Sequence, residues 1–158
     1  MAGYSNQKVF ILYEDEHLLV VKKPFGMESQ RGKSFAMDQE SLLRGYLSSK
    51  TKTDNPYLAV VHRLDRPVAG VMVYAKTKKA AADLSAQLQT ENFSKKYEAV
   101  VSGIVPACEG RLEDYLTADK RTGTTSVSSK ADPLAKKAVL TWKAVSYTHL
   151  TLPTICSV

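Results

Sequence analysis

The sequence predicts an α+β fold in which a mixed, mostly antiparallel central β-sheet is flanked by helices. Three observations lead there. Short Val- and Leu-rich runs are broken by Pro, Gly and polar turns, as strands are. Two capped segments of helical period lie between those runs. The 158 residues, 44% of them hydrophobic, are enough for one domain with its own core.

In chain order, Val9–Tyr13 and Leu18–Lys22 are strands separated by Glu14-Asp15-Glu16-His17, which reads as a hairpin. Pro24 and Gly26 then force a turn. A helix is predicted over Gln39–Ser49, with Asp38 as N-cap and Met37 and Leu42 as a hydrophobic staple. Its apolar face is Leu42, Leu43, Tyr46 and Leu47. Val60-Val61 and the run after Gly70 form two strands around a charged loop. Thr77 caps a second helix over Lys78–Gln89, with Ala81, Leu84 and Leu88 inward. From Lys95 to Gly103 alternation puts Tyr97, Ala99 and Val101 on one strand face. Arg111–Leu116 and Ala138–Ala144 read as further strands, and Lys120–Ser129 as a Thr/Ser/Gly loop.

Charge narrows the partner. Net charge is +6, and residues 61–105 hold 7 basic against 4 acidic groups, while residues 1–60 hold 8 against 7. The excess therefore gathers in the centre, as on a phosphate-facing surface, although a solvated face has the same composition. Cys108 and Cys156 lack metal-ligand spacing and are too few for a disulfide scaffold, which suits a reducing compartment. The first residues contain no apolar core of signal-peptide length, and no apolar run reaches membrane-spanning length. The expectation is a cytoplasmic protein.

The informative stretch is Val60 to Lys76, which contains His62-Arg63-Leu64-Asp65-Arg66-Pro67-Val68-Ala69-Gly70. One His, two Arg and an Asp within five residues exceed what a tight connection needs. The pattern resembles the signature of RluA-type pseudouridine synthases, H-R-L-D-R-x-[TS]-[SA]-G followed by an apolar strand and A-K. Upstream, Lys22-Lys23-Pro24-Phe25-Gly26-Met27 resembles that family's opening K-P-x-G motif. Downstream, Lys95 to Gly103 resembles its K-x-Y-x-A-x-V-x-G motif, so three motifs stand in the family's order. Val68 and Ala69 replace the commoner Thr-Ser pair and remove two hydroxyls.

The resemblance implies a pseudouridine synthase fold, present here incompletely, and a reaction on RNA that needs neither cofactor nor metal. In that reaction the N1–C1′ bond of a uridine breaks, the base turns, and C5 joins C1′. Asp65 is the implied catalytic carboxylate, as nucleophile at C1′ or as base at C2′; the sequence leaves both open. Arg63 would fill the gap left by the flipped nucleotide, and Tyr97 would hold the extracted uracil. Arg66, Lys96 and Lys23 complete the expected RNA contacts, with ribosomal or transfer RNA as partner and the protein a monomer. His62, Leu64, Pro24, Gly26 and Gly70 are the expected structural members, His62 through a hydrogen bond in the loop.

The kinase catalytic loop H-R-D is excluded because Leu64 intervenes and neither a Gly-rich loop nor D-F-G accompanies it. A non-catalytic RNA-binding module, or an inactive fragment, is the alternative. After Ala144 the chain changes character. Val145 to Thr154 reads as a one-frame translation of a transposon end used in sequencing libraries. On that reading residues 1–144 are the N-terminal portion of the catalytic domain and 145–158 a non-native tail. The family's later G-R-x-H-Q-I-R stretch, whose arginine pairs with the catalytic Asp, is not found in this sequence, so a weak or inactive enzyme is expected.

Overall fold

The computed structural model describes residues 9–32, 37–90, 93–103, 105, 107–119 and 122–145, and residues 152–157 as backbone. The chain divides into two compact units, residues 1–90 and 91–158.

The first unit begins with the expected hairpin, β1 (Phe10–Glu14) and β2 (Leu18–Lys23), with a bulge between Ile11 and Tyr13. Its turn is built on Asp15, whose carboxylate accepts from the amides of Leu18 at 2.6 Å and His17 at 2.7 Å. Those two N–H bonds, with the Tyr13 hydroxyl, hold the Asp15 carboxyl below its ordinary pKa. Helix α1 (Gln39–Thr51) follows, and the Asp38 side chain accepts from Ser41 N as the predicted N-cap. The charged stretch runs between β3 (Ala59–Val60) and β4 (Gly70–Ala75), which pair antiparallel, Val60 opposite Tyr74. Thr77 caps α2 (Lys78–Gln87), which lies against β3 and β4 with Ala81, Leu84 and Leu88 half-buried.

Strand order in this sheet is β1-β2-β4-β3. Alternation along β2 and β4 turns Leu19, Val21, Met72 and Tyr74 to one side. There they pack with Leu43 and Leu47 of α1 and with Leu58 in one fully buried core. Glu14 ties three pieces of this unit together. Its carboxylate accepts from Lys76 and Lys50 Nζ, each at 2.9 Å, and from the Tyr46 hydroxyl at 2.8 Å.

The second unit holds β5 (Lys96–Val101), β6 (Glu109–Ala118), β7 (Thr125–Ser128), β8 (Lys136–Ala144) and β9 (Leu152–Ser157), in the order β5-β9-β8-β6-β7. β7 lies inside the segment expected to be a loop. Its pairing with Tyr115–Ala118 decides that, together with Asp132, which accepts from the hydroxyls of Ser128 and Thr117 at 2.7 and 2.8 Å. The Trp142 ring lies over Gly110 on the neighbouring strand, where a Cβ would come within 2.7 Å of the indole.

The α+β class and the antiparallel pairing hold, but the strands form two sheets rather than one. Both edges of β4 are occupied, by β2 and β3. The outer strands then left are a bulged β1 and a two-residue β3. Neither offers the six-residue β5 a matching edge, whereas β9 pairs with β5 along all six residues. Ser146 to Thr151 of the expected tail lie outside the described residues, while 152–157 stand as a strand between β5 and β8. Among the described residues no helix is long and apolar enough to cross a membrane.

Two outcomes are expected. Removing residues 145–158 should deprive β5 of its partner, so amide exchange should accelerate across Lys96–Val101 and not in β2 or β4. The Glu14 carboxyl responds to pH: burial alone would raise its pKa, but hydrogen bonds from Lys76, Lys50 and Tyr46 outweigh burial and bring it from 4.5 to about 2. Its stabilisation is complete above about pH 4.5 and lost as pH falls toward 2. Urea midpoints measured across that window should fall less in Glu14→Gln than in the wild type.

Candidate active site

Asp65 sits on the loop between β3 and β4, and that loop is fastened along its length. At its start the His62 imidazole accepts from Val73 N through Nε2 at 3.0 Å. The side chain thus takes a place on β4 just beyond the end of β3. Next, Leu64 packs against the core with Cδ1 directly over Gly70, where a Cβ would lie 3.0 Å away. A side chain at residue 70 would require the Leu64 tip to shift by a few tenths of an ångström. Asp65 then opens a turn closed by Val68 N to Asp65 O at 3.0 Å, with Pro67 inside it.

Arg66 joins this loop to the turn after β2. Gly26, at φ +80°, donates to the Arg66 carbonyl at 2.9 Å, and Arg66 Nε donates back to the Gly26 carbonyl at 3.0 Å. Only a residue at ease with positive φ closes this turn without strain.

Beneath it lies Lys23, fully buried. Its ammonium donates to the carbonyls of Met27 at 2.6 Å, Pro24 at 3.2 Å and Arg66 at 3.4 Å. Burial lowers its pKa, and the negative charge of Asp65 opposes that shift. The expectation that Lys23 contacts RNA is corrected here, because its side chain faces the interior. The signal was available: the alternation that buries Leu19 and Val21 continues to residue 23.

Ser29 escaped the sequence reading. It is 5% exposed, and its Oγ donates to the Leu64 carbonyl at 2.5 Å while accepting from Leu64 N at 3.0 Å. A serine three residues past a Gly turn carries no pattern that would have revealed this.

These segments enclose an open cleft of about 410 Å³ lined by Glu28, Ser29, Gln30, Arg63, Leu64, Asp65 and Arg66. Arg63, Asp65 and Arg66 are exposed in it, so three predicted site residues stand together. Glu28 is a second acidic residue in the lining that the sequence reading did not single out. Among the described residues no salt bridge holds Asp65. Tyr97, half-buried, and Lys96, exposed, lie on β5 of the second unit.

Comparison with known proteins identifies the family. The family model described as RNA pseudouridylate synthase matches residues 17–154. Ribosomal large subunit pseudouridine synthase C of Buchnera aphidicola subsp. Baizongia pistaciae is 33% identical over 133 residues, 82% of this chain and 39% of that protein. Dual-specificity RNA pseudouridine synthase RluA of Vibrio vulnificus is 38% identical over 109 residues, 69% of this chain and 41% of that protein. The chain thus spans less than half the length of these two relatives. The structure of human RNA pseudouridylate synthase domain containing 4 superposes with a TM-score of 0.73 at 22% identity, covering 94% of this chain and 58% of that one. That likeness supports the fold.

The buried ammonium yields a direct prediction. Lys23→Met keeps most of the stem and leaves the Met27, Pro24 and Arg66 carbonyls without their donor. Stability should fall by roughly 1–3 kcal/mol, read from urea denaturation. Lys22→Met, at an exposed position one residue earlier, should change it by no more than about 0.5 kcal/mol.

Proposed function

Because this chain belongs to the RNA pseudouridylate synthase family, we propose that its Asp65 loop is the catalytic element that converts a uridine within RNA to pseudouridine. One observation carries the reading: an exposed carboxylate stands between two exposed guanidiniums on a loop fastened to the turn after β2.

The chemistry asks for that combination. Asp65 acts at C1′ as nucleophile or at C2′ as base. No atom is imported and no electron is transferred, since the same base leaves C1′ through N1 and returns through C5. The uridine must first leave its stack. Arg63 takes the space it vacates and pairs with phosphate, a task suited to a planar and permanently charged group. Arg66 and Lys96 add phosphate contacts, and Tyr97 supports the base by ring contact. Lys23 serves as a positioning residue. The curated relatives include ribosomal large subunit pseudouridine synthase C of Buchnera aphidicola and tRNA pseudouridine synthase C of Yersinia pestis, and we propose a structured RNA of one of these two kinds as substrate.

The test is an assay on bulk cellular RNA lacking the modification. It uses the 158-residue chain beside a version continued to the length of its relatives. Pseudouridine is expected from the longer version and little or none from the 158-residue chain, in which the family's pairing arginine motif is not found. Asp65→Asn should abolish product and leave RNA affinity within about twofold. Product from that variant would remove Asp65 from the mechanism; tight binding with no product from either wild-type version would favour the RNA-binding module. Arg63→Ala should weaken binding and flatten its salt dependence by about 0.7–0.9 in log–log slope, one phosphate contact.

A further inference from the structure

We propose that Ser29 is a positioning residue for Asp65, its hydroxyl setting the backbone of the residue just before the carboxylate. This rests on the catalytic reading of the Asp65 loop, and it adds a residue outside all three sequence motifs.

The geometry is reciprocal. Ser29 Oγ gives its proton to the Leu64 carbonyl and receives the Leu64 N–H, so one side chain satisfies both backbone groups of one residue. In a sheet a neighbouring strand would do this; here β3 has ended at Val60 and β4 has not begun, so the hydroxyl substitutes. Ser29 is itself held. Its carbonyl accepts from the Tyr74 hydroxyl and from Glu40 N of α1, each at 3.3 Å. Tyr74 is fully buried in the core, and the first turn of α1 is capped by Asp38. A continuous chain of bonds therefore runs from the core and α1 through Ser29 to Leu64. On the opposite side Leu64 is pressed onto Gly70. With both backbone groups and the side chain of Leu64 fixed, the direction in which Asp65 leaves the loop is fixed as well. Misplacement of a reacting group by about 1 Å costs on the order of a hundredfold in rate.

The experiment compares Ser29→Ala and Ser29→Thr with the wild type. Amide exchange is followed in the 158-residue chain, and single-turnover pseudouridine formation is followed alongside RNA affinity. Ser29→Ala should speed exchange at Leu64 by about tenfold to a hundredfold, with Val21 and Met72 unchanged. Its single-turnover rate should fall by a similar factor while RNA affinity stays within about twofold. Ser29→Thr, which keeps the hydroxyl, should restore both. Loss of a purely structural residue would speed exchange and slow the reaction only as far as it lowered global stability, and would move β2 and β4 as well. Unchanged exchange at Leu64 in Ser29→Ala overturns the proposal. So does faster exchange with an unchanged reaction rate. The reaction is followed in the version continued to the length of its relatives. Absence of product from that version with Ser29 intact defeats the catalytic reading and with it the role of Ser29 toward Asp65, while the exchange data still report whether the hydroxyl holds Leu64.

Discussion

The site depends on a charge placed where charge is costly. Lys23 brings its ammonium into the protein at the end of β2, and three backbone carbonyls make that tolerable. Two belong to the turn after β2 and the third to Arg66 of the Asp65 loop. One buried cation thus joins two segments 43 residues apart, and the Gly26–Arg66 pair repeats the connection on the surface side. Burial of an ammonium is sustained only when its donors are used. The three carbonyls and the lysine therefore specify one another: displacing the loop would strand the charge, and removing the charge would strand the carbonyls.

Much of this was legible in the sequence, because local rules and tertiary needs agree there. Asp38 and Thr77 are caps for reasons visible within four residues, and both helices start where those caps put them. The β1–β2 hairpin follows from two apolar runs and a polar turn. The order of motifs led to the family. What was not legible needed contacts from far along the chain. Ser29 looks like any loop serine until Leu64 stands opposite it. Lys23 stands among the RNA contacts implied by the resemblance, whereas the alternation that buries Leu19 and Val21 carries it inward. The second sheet and β7 arise from pairing choices that composition does not encode; a Thr/Ser/Gly run is a loop or an edge strand according to the partner offered.

The layout also separates what holds the loop from what meets the RNA. Arg63, Asp65 and Arg66 are exposed, so their mutual effects and their pull on phosphate pass through water and are screened within about 8 Å at physiological salt. Lys23 and Ser29 are buried, and salt reaches them far less. Ionic strength is therefore a clean discriminator between the two sets. Raising it weakens attraction for a polyanion without loosening the loop that presents Asp65. A variant whose defect disappears at low salt has lost a partner for phosphate, whereas one whose defect is independent of salt has lost the geometry. By that criterion Lys23, though basic and set near Asp65, belongs with Ser29 rather than with Arg63, and it is burial, not charge, that decides its role.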